Sequence, residues 1–228
     1  MKQSFKNAIA LSIALLFHIS GFIGIVFTPY KEWFIQHTPL NLLLMFLLLL
    51  FTQKKYNKPF FVFAVACFIT GLIAEMIGVN TGWLFGNYAY GEVMGIQWLG
   101  VPLLIGINWF VVVFCSGSIM FQLQTFIENK YAASGLQLSP AVKRASLVID
   151  SALLATFFDF IMEPVAMRLG FWQWKNAFVP LYNYVCWFAI SALLLWLFGR
   201  LSFDKKNYFS IHLLIIQLLF FLALRIYL

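Results

Sequence analysis

Apolar residues in this chain neither alternate nor keep to one helical face; they come in long unbroken runs. Helix-length runs fall at roughly 8–28, 34–52, 59–79, 99–127, 145–167, 177–199 and 207–227. Each is near or above the ~20 residues a helix needs to cross a bilayer. Runs apolar on all sides predict helices surrounded by lipid or by one another, not the amphipathic surface helices of a soluble domain. The second run is the least regular, because Pro39 interrupts it and its pure core, Leu40 to Phe51, is short. The first follows Lys2 and Lys6, as in a signal peptide. It is ~20 residues long with no small-residue cleavage pattern, so it predicts a first transmembrane helix.

The charges between the runs test this count. With seven spans, one side receives Lys2, Lys6, Lys54, Lys55, Lys58, Lys130, Lys143, Arg144, Arg200, Lys205 and Lys206. The other receives Lys31, Arg168, Lys175 and Arg225. A bias of eleven against four places the N-terminus in the cytoplasm and the C-terminus outside. Removing one helix scrambles the bias. The expected fold is therefore all-α, a polytopic membrane bundle of about seven helices forming one domain over residues 1–228.

Composition agrees. Of 228 residues, 63% are hydrophobic and only 10% charged, where a soluble domain is about 25% charged. The net charge of +7 is scattered between apolar runs, which fits membrane topology and not a nucleic-acid groove. Cys67, Cys115 and Cys186 all lie inside apolar runs without metal-ligand spacing, and are read as small buried side chains. His18, His37 and His212 share no such spacing either, so no metal is expected.

The two sides differ in their connections. Cytoplasmic ones, such as Gln53 to Lys58 and Glu128 to Arg144, are short or plainly polar. The outer ones run Gly82-Trp83-Leu84-Phe85-Gly86-Asn87-Tyr88-Ala89-Tyr90-Gly91 and Gly170-Phe171-Trp172-Gln173-Trp174. Tyr and Trp at this depth fit an interfacial belt. Their glycine content points further, to segments folded back to close a pocket. An echo links the two regions. Glu75 precedes Gly82 by seven residues and Glu163 precedes Gly170 by seven; Pro102 precedes Trp109 by seven and Pro180 precedes Trp187 by seven. Residues 60–128 and 145–200 are thus a candidate internal repeat, two like-oriented hairpins each bringing an acid to the outer end.

Carboxyls inside apolar runs are the candidate chemistry, because an ionisable side chain in hydrocarbon is costly. Asp159 and Glu163 are four residues apart, about 400° of helix turn, and so share a face. Pro164 is expected to end or bend the helix at Glu163. With Glu75 they form a cluster flanked by Trp83, Tyr88, Tyr90, Trp109, Trp172, Trp174, Asn183, Tyr184 and Trp187. Burial and a second carboxyl nearby both favour a protonated acid, which can donate to a poor base. Aromatic faces stabilise a cation without attacking it. Protonation of an alkene needs that pair of features, and the remaining carboxylate can orient a water or remove a proton. Asp150, nine residues before Asp159, is expected to pair with Arg144 or with a polar group of another helix, in a structural role. No Asp-rich diphosphate motif argues for a prenyltransferase, and the last helix, Tyr208 to Leu228, has no lysine for a retinal Schiff base.

These residues resemble a known family. Glu75, Gly82, Phe85, Gly86, Asn87, Tyr88 and Tyr90, then Gly100, Pro102, Asn108 and Trp109, are similar in kind and order to the integral-membrane carotenoid biosynthesis family. So are Asp159, Glu163, Pro164, Gly170, Phe171, Trp172, Gln173 and Trp174, then Pro180, Tyr182, Asn183, Tyr184 and Trp187. The resemblance covers roughly 60–200. Characterised members are carotenoid 1,2-hydratases acting on gamma-carotene or on bacterioruberin precursors. It implies a cofactor-free, non-redox addition of water across the terminal double bond of an acyclic psi end group. It also implies a C40 carotenoid substrate, the lipid of the inner cell membrane, and other carotenoid enzymes as partners. In that scheme Asp159 or Glu163 is the general acid, and the other acts with Glu75 as water-orienting base. Asn183 and Tyr184 position water, and Trp109, Trp172 and Trp187 line the cation pocket.

Three other readings remain at this point. A membrane lycopene cyclase begins with the same protonation and excludes water. A non-catalytic carotenoid-binding protein needs the aromatics and not the acids. A transporter would place its acids mid-bilayer and not at one end.

Overall fold

The computed structural model describes residues 2–131 and 139–228; the middle of the polar Glu128 to Arg144 connection lies outside them. The chain runs α1 (Gln3–Phe27), α2 (Lys31–Gln36), α3 (Thr38–Thr52), α4 (Lys58–Thr81), β1 (Tyr88–Tyr90), β2 (Gln97–Trp98), β3 (Val101–Pro102), α5 (Leu104–Tyr131), α6 (Pro140–Arg168), β4 (Trp172–Trp174), α7 (Leu181–Arg200) and α8 (Tyr208–Tyr227). It is a multi-pass helical membrane bundle.

Six of these helices are long and apolar enough to cross a membrane. The expected seventh is present in two pieces, which together bring the chain back to the end where α1 began. Run 34–52 is divided at His37 into the end of α2 and the 15-residue α3, about 22 Å long against a hydrocarbon core of about 30 Å. Pro39 does not interrupt a helix; it sits in the first turn of α3, where its missing N–H leaves no bond unmade. Two further runs start late. Residues 97–102 form the small β2–β3 hairpin before α5, and α7 begins at Leu181 after Pro180.

α5 is the axis of the bundle. Every residue from Trp109 to Ser118 is buried, as a helix apolar on all sides requires. It packs against α3, α4, α6, α7 and α8, while α1 lies along α8. Close approach depends on small residues. Gly71 of α4 lies against the Trp109 ring, in space that a Cβ would occupy.

The basic end is held together by side chain to backbone bonds. Gln3 Nε2 donates to the Thr52 carbonyl at 2.7 Å, Gln53 Nε2 to that of Asp204 at 2.7 Å, and Ser118 Oγ to that of Lys205 at 2.8 Å. This gathers Lys2, Lys54, Lys55 and Lys205 at one end, the side that charge bias assigns to the cytoplasm. At the opposite end the two aromatic connections meet. β1 and β4 pair antiparallel, Tyr88 with Trp174, Ala89 with Gln173 and Tyr90 with Trp172. Closing the outer end in this way satisfies backbone groups that would otherwise face lipid.

Candidate active site

Glu75 reaches the outer end on α4, and Asp159 and Glu163 on α6. All three are buried, Asp159 to 1% exposure. Of the two outcomes expected at Pro164, an end or a bend, the end does not occur; α6 continues through Pro164 to Arg168. α6 packs along α7 and α8, and the single lost N–H is tolerated in a membrane helix. Each acid-bearing helix then reverses at a glycine in the left-handed region, Gly82 at φ 70° and Gly170 at φ 73°, a conformation costly for other residues.

Past those glycines, the two-residue period of a strand does the rest. Tyr88 and Tyr90 face inward on β1 with Ala89 exposed between them, and Trp172 and Trp174 are buried on β4 with Gln173 exposed between them. The inward groups donate to the acids. Glu75 Oε2 accepts from the hydroxyls of Tyr88 and of Tyr90 (2.8 Å), and its Oε1 accepts from Trp109 Nε1 at 3.0 Å. Burial and the adjacent Glu75 push both phenols well above the ordinary tyrosine range, so they stay protonated as donors. Glu163 Oε2 accepts from Trp172 Nε1 at 2.8 Å and from Trp174 Nε1 at 2.9 Å. Asp159 Oδ2 accepts from Asn183 Nδ2 at 2.8 Å. The rings of Trp109 and Trp187 stack with centroids 3.9 Å apart and planes 8° apart.

All three acids line one cavity of about 20 Å³, together with Tyr88, Tyr90, Trp109, Trp172, Trp174, Asn183 and Trp187. That is the space of roughly one water molecule. Among the described residues, Asp159 Oδ1 and Glu163 Oε1 have no hydrogen-bond partner. The arrangement can hold a proton, hold one water and face a cation with aromatic rings.

Two sequence-predicted residues lie elsewhere and are corrected. Trp83 is 77% exposed on the outer surface; it is engaged through its backbone, whose N–H donates to Thr81 Oγ1 at 3.1 Å and whose carbonyl accepts from the Tyr182 hydroxyl at 2.9 Å. It follows Gly82 directly, before the chain has turned inward. Tyr184 packs on Phe160 at 5.5 Å and borders a separate outer groove with Arg168 and Phe178. It is adjacent to Asn183, so the helix turns it about 100° away from the acids. Asp150 is exposed and takes a hydrogen bond from Ser146 of its own helix and, among the described residues, none from Arg144 or another helix. The cavity also takes in Phe85, Ile105, Asn108 and Met162, which sequence reasoning left out of the site. Two had a signal. Asn108 is a polar residue in an apolar run, and Met162 lies on the face of Asp159 and Glu163. Among the described residues, no group of three His, Cys, Asp or Glu side chains is placed to hold a metal ion.

A helix bundle closed at one end over a buried carboxyl cluster defines an integral-membrane protein with an enclosed acid site. The chain belongs to the carotenoid biosynthesis protein family, whose sequence model matches residues 37–228. A bisanhydrobacterioruberin hydratase from Haloarcula japonica is 27% identical over 137 residues, 58% of this chain and 42% of that protein. The chain thus spans less than half the length of that curated relative. No solved structure matches it.

Proposed function

We propose that the protein is a carotenoid hydratase of the cell membrane. It adds water across the terminal C1–C2 double bond of an acyclic end group. The observation that carries this reading is the shared cavity. Three buried carboxyls line a space fit for one water, and aromatic rings supply most of the remaining wall. Family membership and the hydratase among its relatives support the same class of reaction.

Asp159 is the proton donor in this scheme. It carries the fewest hydrogen-bond donors of the three acids, and its Oδ1 is open. The proton passes to C2 of the alkene and the π electrons form the new C–H bond, leaving a tertiary cation at C1. The rings of Trp109, Trp172 and Trp187 stabilise that charge through their quadrupoles. The water's oxygen bonds to C1, and its surplus proton passes to Glu163 Oε1 or back to Asp159. Protonation and deprotonation balance, so the reaction needs no cofactor or oxidant. Glu75, with both oxygens engaged, fixes the strand and indole groups around the water.

Expression in a lycopene-accumulating bacterium, followed by mass analysis of the pigments, tests the proposal. The expected product is heavier by one water per reacted end and carries a tertiary alcohol. A cyclised isomer of unchanged mass would overturn hydration. Unchanged product formation after D159N, E163Q and E75Q together would overturn the acid assignment.

A further inference from the structure

The acid cavity is too small for the end of a polyene, so the substrate needs a path to it. Two adjoining spaces provide one. A cavity of about 70 Å³ shares Ile105, Asn108, Met162 and Trp172 with the acid cavity as a common wall. A groove of about 350 Å³, bordered by Phe17 and Gly21 of α1 and by Leu40 and Leu44 of α3, shares Ile25, Thr38, Asn41 and Phe220 with that cavity in turn. Phe17 and Leu40 are exposed on the outside of the bundle, where a membrane protein meets lipid. The division of the second apolar run leaves α3 short at this place. The larger outer groove beside Tyr184, about 560 Å³, shares no lining residue with the acid cavity.

The intermediate cavity is not purely apolar. Gln217 of α8 is only 7% exposed. Its Oε1 and the Oδ1 of Asn41 are buried without a hydrogen-bond partner. A buried, unpaired amide oxygen is costly, and such groups in native structures call for an explanation. Both side chains line the same cavity beside His18, whose Nδ1 is bonded to the Ala14 carbonyl at 2.8 Å. An amide oxygen accepts, so the missing partner is an O–H or N–H donor.

Resting on the hydratase reading, we infer that the acyclic polyene end enters sideways from the lipid between α1 and α3. Asn41 and Gln217 seat a hydroxyl in the cavity just short of the acids. The hydroxyl belongs either to a water carried toward the reaction or to the substrate itself. The wall formed by Asn108, Met162 and Trp172 separates this waiting position from the reacting one.

The experiment uses the full chain in a carotenoid-producing bacterium, with pigment conversion and pigment bound to the purified protein as two readouts. Gly21 has room for a Cβ, with Phe220 the nearest side chain at 3.6 Å, so G21W fills the groove without touching the acids. Conversion by G21W is expected to fall at least about tenfold, because a substrate must reach its enclosed pocket. In a D159N background, bound polyene absorbance is expected to fall alongside it. L181W in the groove beside Tyr184 is expected to leave both readouts unchanged. Melting temperature and gel filtration check that each variant is folded. A folded G21W that converts and binds as wild type, or a block by L181W instead, overturns the entrance.

Gln217→Leu then distinguishes the two hydroxyl sources. A loss of about threefold to tenfold with lycopene, which has no hydroxyl, assigns the seat to water. A loss confined to a singly hydroxylated acyclic carotenoid assigns it to the substrate, and no loss with either overturns the seat. If the wild type converts no acyclic carotenoid yet binds one, and G21W abolishes that binding, the hydratase reading fails while the entrance stands.

Discussion

The hairpin of α4, β1 and α5 and the hairpin of α6, β4 and α7 are built to one plan. In each, a glutamate lies seven residues before a left-handed glycine, an inward-facing aromatic pair follows on a strand, and a tryptophan stands seven residues after a proline. The strands pair about Ala89 and Gln173, and the two tryptophans, Trp109 and Trp187, stack on each other. The likeness is one of arrangement, and it falls in the two regions, 60–128 and 145–200, proposed as a repeat on their sequence spacing. The halves differ in how their acids are held. Glu75 accepts three donors over both oxygens, whereas Glu163 accepts two on one oxygen. Four residues before Glu163 stands Asp159, and four before Glu75 stands Gly71, against which the Trp109 ring rests. The first half thus has a glycine that admits an indole where the second has an acid. On the proposed mechanism, the second frame carries the chemistry and the first supports it.

Substitutions can break that division, and the largest effect belongs to Asp159. D159N keeps size and the Asn183 contact within reach but cannot donate an acidic proton, so conversion is expected to fall ~10²–10⁴-fold. Pigment analysis per unit of folded protein reads the loss, and a melting temperature close to wild type keeps it a chemical effect. E163Q should follow with about a hundredfold loss, since it removes the open oxygen Oε1 that receives the water's proton. For E75Q the order of effects reverses. Its new amide N–H₂ faces existing donors, which should cost about 1–3 kcal/mol of stability, seen as a lower melting point with a smaller loss of conversion. If E75Q retained its melting point yet lost as much activity as D159N, Glu75 would be no mere scaffold.

G71A sharpens the same contrast without touching a polar group. A methyl there displaces Trp109 from both Glu75 and Trp187, and overpacking of this kind costs about 1–3 kcal/mol. The Trp109–Glu75 bond can be probed through indole fluorescence, and an unchanged spectrum in G71A would mean that the close approach is not structural. The smallest effect is expected for W83A. Its ring is exposed and unpartnered by the acids, so stability should change by no more than about 0.5 kcal/mol and conversion should be unchanged.

Much of the molecule is legible along the chain. Run length locates the six long helices and charge bias the basic end, because lipid imposes its demands on each segment separately. The spacing of Asp159 and Glu163 places them on one face without any knowledge of neighbours. Gly82 and Gly170 mark where the chain reverses. Trp83 and Tyr184 mislead because composition alone does not say which face of a turn or helix looks inward. Pro164 does not end α6, because a local preference at one residue does not decide where a membrane helix stops.

The places of the long helices, the acids in apolar surroundings and the points where the outer loops turn back can all be read residue by residue. The pairing of β1 with β4, the stacking of Trp109 on Trp187 and the different donors of each acid emerge only once the bundle is assembled. The difference is one of range. Hydropathy, helix periodicity and glycine conformation act within a few residues, whereas these contacts join groups as far apart as Tyr88 and Trp174. Their register follows from how the whole bundle packs around α5 and not from any one segment.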